Sequence, residues 1–250
     1  EDLFFEFLRV AKDIKPKVII GENVEGLTMG EAKEYFNKIQ NTFEQIGYLV
    51  VADVLNASYF GVPQARKRCF FIGVREDVAD KIGLNFMTMY QLYPEANKEQ
   101  TTLGQAISDV VNEDEEELKF LRDALGPDKA VGKTLQKMPF DPDKVLTGMD
   151  YHEKGHHFNL KRCSLRKPSP TITAMGNLAG VAGTCHPLDN RKFTIKELKR
   201  IMSLPEDFKL TGDHKQQSER VGRMVPPLMM KALAESIYNK VLKPYKELND

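Results

Sequence analysis

Four short stretches hold the residues whose types and spacing could do chemistry. Lys17-Val-Ile-Ile20 is an apolar run fit for a buried parallel strand, and it ends at Gly21-Glu22-Asn23-Val24. Open α/β sheets place ligands at the carboxyl ends of such strands, so Glu22 and Asn23 stand where a ligand would. Gln64-Ala65-Arg66-Lys67-Arg68 precedes a second apolar run. Arg191 to Pro205 opens a helix, and Arg220-Val-Gly222-Arg223-Met224-Val-Pro226-Pro227 leads into the last one. Each stretch alone is weak: Glu-Asn-Val occurs by chance, and alternate arginines usually sit on a strand's exposed face. Their order, spacing and contexts make a joint signal. Charge adds a second clue. Residues 101–150 hold six Lys/Arg and eleven Asp/Glu, including the run Glu113 to Glu117, whereas residues 151–200 hold ten and three. A swing from −5 to +7 fits a local polyanion-binding face, and an ordinary solvated surface gives the same pattern.

The elements that must position these groups read as follows. Leu3 to Val10 is a short amphipathic helix. Gly30 to Ile46 is helical, with Ala32, Tyr35, Phe36, Ile39, Phe43 and Ile46 at helical spacing. Tyr48 to Leu55 and Cys69 to Val74 are further strands, with Gly61-Val62-Pro63 breaking the chain between them. Strands alternating with a helix predict a parallel sheet at first, later strands being free to run antiparallel. Thr102 to Val111 and Glu115 to Leu125 read as short helices. From about 130 to 190 the chain is irregular, with short strands such as Thr171-Ile-Thr173. Helices return at Thr194 to Met202, where Thr194 and Glu197 form a capping-box pattern, and at Pro227 to Leu242.

Composition narrows the class. The 250 residues are 41% apolar and 29% charged, with 36 Lys/Arg against 36 Asp/Glu, which suits a globular domain and argues against an all-over basic nucleic-acid binder. No run approaches eighteen consecutive apolar residues, so no membrane span is expected. The start has no basic region and no small-residue cleavage site, so it does not read as a signal peptide. Cys69, Cys163 and Cys185 are too few and too scattered for a disulfide framework or a zinc site, and a reducing, cytoplasmic setting is expected.

The sequence resembles the DNA (cytosine-5)-methyltransferase family from residue 1 to about 240. DLFFEFLRVAKDIKPKVIIGENVEGL resembles the family's stretch from the adenine-pocket helix to its Glu-Asn-Val motif. LNASYFGVPQARKRCFFIGVR resembles the Gln-x-Arg-x-Arg motif with its lead-in. TTLGQAISDV, RKFTIKELKRIMSLPEDF and RVGRMVPP resemble later motifs, Arg223 standing where the family usually has asparagine. The resemblance implies an α/β fold: a partial Rossmann-like, S-adenosylmethionine-dependent methyltransferase sheet plus a small irregular, mostly β target-recognition domain. It divides the chain into 1–130, partial catalytic domain; 131–190, target recognition; and 191–250, helices returning to the catalytic domain. Family enzymes add a cysteine thiolate to cytosine C6, making C5 able to attack the methyl of S-adenosylmethionine. The resemblance implies that Glu22, in a buried setting that raises its pKa, serves N3 and N4 of the base. It assigns Arg68 to O2, with Arg66 supporting the closed site. Leu3, Arg223 and Met224 map to cofactor contacts, and Asn23, Gln64, Gly222 and Pro226 to motif positions of structural use. The target base must leave the stack to reach them. Lys161, Arg162, Arg166, Lys167 and Arg191 could contact phosphates, and Thr171-Ile172 sits where the family often has a Thr-Leu-like pair beside the flipped base. His156, His157, Asn159 and Asn177 could read base edges or be ordinary loop polarity.

Two family features are absent. No two of the 17 glycines are separated by a single residue, and none of the 13 prolines precedes a cysteine. The cofactor turn and the Pro-Cys nucleophile would occupy at least two βα units, roughly 60 residues or more. Two readings follow: a piece of a whole methyltransferase, or one subunit of a split enzyme whose partner carries both features. The expected partners are therefore DNA and that missing half, with self-association through an open sheet edge. The expected location is the bacterial cytoplasm or nucleoid. A non-catalytic DNA- or partner-binding protein on this scaffold, and a transfer-RNA cytosine methyltransferase, are the alternatives.

Overall fold

A computed structural model describes residues 2–112, 114–157, 159–178 and 181–249. Glu113 of the acidic run lies outside the described residues. The chain forms two compact units: Glu1–Asn56 with Lys67–Glu95 and Lys231–Asp250, and Ala57–Arg66 with Ala96–Met230. Neither is one continuous segment, whereas the sequence reading cuts the chain at 130 and 190.

The first unit is a three-stranded sheet with helices. Its elements are α1 (Asp2–Ile14), β1 (Val18–Val24), α2 (Ala32–Gln45), β2 (Tyr48–Asn56) and β3 (Lys67–Arg75). The strand order is β1-β3-β2, and β3 runs antiparallel to both neighbours. This corrects the expected parallel start: β1 and β2 point the same way but do not pair. The cause is legible in β3, whose Cys69 to Val74 are all buried and which therefore takes the central place. Phe71 is the hub of the core, with the rings of Phe36, Phe4 and Phe43 centred 5.2, 5.5 and 6.2 Å away. Gly73 allows this approach, because a Cβ there would lie 2.7 Å from the Phe43 ring.

Helix α1 is apolar on two faces. Leu8 and Ala11 are buried in the core, and Phe4 and Phe5 pack against it. Leu3, Phe7, Val10 and Ile14 fall on another stripe and are 84, 42, 44 and 69% exposed. A helix that is hydrophobic all round is normally covered all round.

The second unit is mostly helical and irregular. One core joins the helix Leu103–Ile107 to the helix Ile195–Ile201 and to Cys163, Ile172, Phe193 and Val221. The Thr194–Glu197 capping box forms as expected. Two helices go beyond the sequence reading. Ala130–Lys137 lies within the stretch read as irregular. His214–Arg223 absorbs the start of the Arg220-Val-Gly222 motif and opens with a capping box of Asp213 and Gln216. The strands here are two residues each: β4 (Leu146–Thr147), β5 (Lys161–Arg162) and β6 (Thr184–Cys185). Thr171-Ile-Thr173 is not a strand; beside it lies only an isolated bridge between Gln64 and Ser169. No helix among the described residues is long and apolar enough to cross a membrane.

Candidate active site

In the first unit the sheet register brings the key pair together. Glu22 lies opposite Phe70, and Arg68 is two residues along the same strand, so both side chains project from one face as diagonal neighbours. Arg68 Nε lies 2.8 Å from Glu22 Oε1, with the side chains 14% and 33% exposed. Arg68 also donates to the Lys67 carbonyl at 2.7 Å. Burial pulls the Arg68 guanidinium below its ordinary pKa, and Glu22 works against that pull. Glu22 is half-buried and paired with a cation, so the deeply buried setting expected for it is not what these residues build alone. Asn23 turns its Oδ1 to the backbone N–H of Val24 at 2.8 Å, a local strand-end contact.

None of the three thiols is poised as a nucleophile. Cys69, Cys163 and Cys185 are all buried. Burial, then Asp53 and Glu22, push the Cys69 thiol up to about 12. Burial also raises Cys163 and Cys185. Cys69 is thus a core residue, as its place on β3 suggested.

The second unit holds Arg66, which the resemblance assigns to support of the closed site. Arg66 is 1% exposed. Its Nη1 donates to the Ile172 carbonyl at 3.1 Å and its Nη2 to the Gly222 carbonyl at 3.0 Å. A guanidinium that holds two interior carbonyls supports the backbone on both sides of it.

The proposed phosphate contacts divide sharply. Arg162 and Arg191 are buried, so neither offers a donor to DNA. Arg162 donates to the Leu135 carbonyl at 2.9 Å and to Asn190 Oδ1 at 2.5 Å, beneath the Phe140 ring. Arg191 forms a fork with Glu197, both bonds 2.7 Å. Lys161 is half-buried against Thr147 Oγ1. Arg166 and Lys167 are exposed, Arg166 in a surface ion pair with Asp143 at 2.8 Å. Among the candidate base readers, Asn177 is buried and brackets Phe193 with both amide atoms, so it is structural. His156 and Asn159 are exposed and His157 is half-buried. Sequence reasoning passed over Lys192, which is fully buried and donates to the Gly176 carbonyl at 2.8 Å. No periodicity or motif distinguishes such a lysine from a surface one.

The residues mapped to the cofactor fall in both units, Leu3 in the first and Arg223 and Met224 in the second. Leu3 is a bare exposed side chain, and Arg223 is exposed with Glu219 as its ion-pair partner. Met224 packs against the second unit's core, and Pro226 is buried. No glycine-rich turn accompanies them, Gly-x-Gly being absent from the sequence.

This combination of sheet, Glu-Asn-Val strand end and Gln-x-Arg-x-Arg segment defines a class. The chain belongs to the C-5 cytosine-specific DNA methylase family, whose model matches residues 1–239. It is 34% identical over 94% of its length to the Type II methyltransferase M.NgoFVII of Neisseria gonorrhoeae and covers 62% of that protein. It is 32% identical over 94% of its length to the Type II methyltransferase M1.HphI of Haemophilus parahaemolyticus and covers 60% of it. The chain thus spans about three fifths of these relatives. In fold it is similar to the crystal structure of the S. pombe Dnmt2 methyltransferase, with a TM-score of 0.58 at 16% identity, over 94% of this chain and 71% of that one. The family depends on S-adenosylmethionine.

Proposed function

We propose that this chain is the part of a bacterial, cytoplasmic DNA cytosine-5 methyltransferase that holds the flipped cytosine and selects its sequence. The observation that carries this reading is the Glu22–Arg68 pair at 2.8 Å on one face of a sheet that belongs to the family. Glu22 faces N3 and N4 of the base. Arg68 steadies Glu22 through Nε, and its planar fork turns a further N–H to the charge developing on O2. The thiolate nucleophile and the cofactor site belong to a further half, either the rest of the same polypeptide or a partner subunit. The exposed stripe of α1 and the outer edge of β1 are the surfaces it would cover. Self-association through the same surfaces is the competing outcome when that half is missing.

The test is transfer of labelled methyl from S-adenosylmethionine to mixed-sequence duplex DNA. The 250-residue chain alone transfers none, and addition of a polypeptide carrying the Gly-x-Gly and Pro-Cys segments restores transfer. Robust methylation by the pure chain overturns the division of labour. Transfer to transfer RNA and not to DNA reassigns the substrate, and DNA binding without transfer in the reconstituted protein leaves a binding module.

Their exposure supports Arg166 and Lys167 as the cations that meet phosphate. Arg166→Ala and Lys167→Ala each flatten the plot of log affinity against log salt by about one unit and weaken all sequences alike. Arg162→Ala instead lowers thermal stability, because its donors serve interior carbonyls. A salt slope unchanged in both surface variants contradicts this placement.

A further inference from the structure

In the first unit, the sheet face that carries Glu22 and Arg68 holds one further charge. Directly opposite residues of paired strands share a face, so Glu22, Phe70 and Asp53 form one row across β1, β3 and β2. Positions on this face recur at every second residue. From Val18 to Val24, Leu49 to Leu55 and Arg68 to Val74 they hold Val, Ile, Leu or Phe, except at Glu22, Asp53 and Arg68. An apolar face thus ends in two carboxylates and one guanidinium.

No packing explains Asp53. Aspartate is depleted in strands, and Asp53 is the one exposed residue of β2. Its Oδ1 accepts the backbone N–H of Val54 at 2.7 Å, a bond that asparagine makes as well. Its charge reaches the middle of the sheet: after burial, Asp53 is the main influence that raises the Cys69 thiol and the Tyr93 hydroxyl. Tyr93, buried, donates to the Phe70 carbonyl at 2.7 Å and so fixes the centre of the row.

The register sets Arg68 between the two carboxylates. It lies two residues from Phe70 on β3, so it is a diagonal neighbour of Asp53 on one side as it is of Glu22 on the other. Diagonal neighbours are about 7–8 Å apart, within reach of a long side chain. Glu22 and Asp53 are two strand spacings apart, roughly 10 Å, so one guanidinium turns to one or to the other. In the free chain Nε is on Glu22.

We propose that Asp53 is a positioning residue for methyl transfer: when the base occupies Glu22, Arg68 turns to Asp53, which holds the guanidinium fork against the base. The inference rests on the reading of Glu22 and Arg68 given above. A base hydrogen-bonded to Glu22 competes with Arg68 Nε for that carboxylate, and a guanidinium without an anchor loses its aim. A second carboxylate within its swing restores the anchor and leaves other N–H groups for O2.

The experiment measures kcat and KM of the reconstituted enzyme on a duplex that it methylates, with Glu22→Gln alongside. Asp53→Asn keeps the Val54 bond and a cooperative melt, lowers kcat about 10- to 100-fold and leaves KM for DNA within about twofold. Asp53→Glu, which restores the carboxylate, recovers most of that rate. In an Arg68→Ala background, adding Asp53→Asn changes kcat by less than about twofold, because the group it acts through is gone. A merely structural Asp53 costs the same factor in both backgrounds, and that result overturns the proposal. Unchanged kcat in Asp53→Asn also overturns it. Asp53→Ser, whose hydroxyl can accept the same N–H, carries the cycle if Asp53→Asn does not fold. Turnover lost in Glu22→Gln but kept in Asp53→Asn overturns this inference alone. Turnover kept in Glu22→Gln, or no DNA methylation by the wild type, overturns the reading of the pair and this inference with it.

Discussion

Glu22→Gln lowers the turnover of the reconstituted methyltransferase by about 100- to 10,000-fold, the usual range for loss of a positioned acid–base group. DNA affinity changes little, because the exposed cations proposed to meet phosphate, Arg166 and Lys167, lie elsewhere in the chain. The substitution keeps the size of the side chain and its place on β1 opposite Phe70. It removes the charge that faces Arg68 Nε at 2.8 Å. That pair is part-exposed, so its loss costs only about 0–1 kcal/mol of stability and cannot account for a rate loss of this size. Thermal melting of the variant separates the two effects. Arg68→Ala lowers both the rate and the binding of the flipped base, since an O2 contact is present before reaction. Unchanged turnover in Glu22→Gln would return that carboxylate to a strand-end contact with Arg68 and no more.

The largest expected stability effect lies in the second unit. Glu197→Ala destabilises it by about 3–5 kcal/mol, against a total of about 5–15 kcal/mol for an ordinary domain. The Glu197 and Arg191 side chains are 2% and 5% exposed, so removing the carboxylate strands a buried guanidinium. The same carboxylate accepts the Thr194 N–H at 2.9 Å and the Asn112 amide at 2.9 Å, so a helix cap and a bond to the loop at Asn112 go with it. Glu197→Gln retains the cap and loses less. Burial pushes the Glu197 carboxyl up, and the Arg191 bonds with the neighbouring charges outweigh it, leaving its pKa below the ordinary value. His186 lies 3.6 Å from this carboxylate but is neutral, its pKa pushed down to about 4 by burial and then by Arg191. Both shifts have the same sign for stability. The unfolded chain binds more protons than the folded one, for His186 between about pH 6.5 and 4 and for Glu197 below its ordinary range. Stability is present at neutral pH and falls as pH drops through these windows. Denaturant titrations at pH 7, pH 5 and pH 4 measure the loss in Glu197→Ala and follow the fall through both windows. A loss under about 1 kcal/mol in Glu197→Ala would show the unit relaxing to hydrate Arg191.

Local chemistry was legible in the sequence by itself. Apolar runs marked β1, β2 and β3, helical spacing marked α2, and the Thr194–Glu197 pattern marked a helix start that forms as written. The same signature at Asp213 and Gln216 was there to be read, but the polar sequence after it carries too little apolar periodicity to announce a helix. The family motifs placed Glu22 and Arg68 at strand ends, because those contacts follow from strand position and period. Pairing and burial are not local, and there only the tertiary structure decides. β3 enters between β1 and β2 because its run of buried side chains needs cover on both faces. Arg66, Arg162 and Arg191 look like surface cations in sequence. Arg66 and Arg162 are interior because partners distant along the chain converge on them: carbonyls 106 and 156 residues away for Arg66, and the Leu135 carbonyl 27 residues away for Arg162. Arg191 is interior on near neighbours, Asp189 and Glu197, that the fold buries with it. A guanidinium is stable inside a fold only when such partners arrive together, and their arrival is a property of the folded chain rather than of any segment.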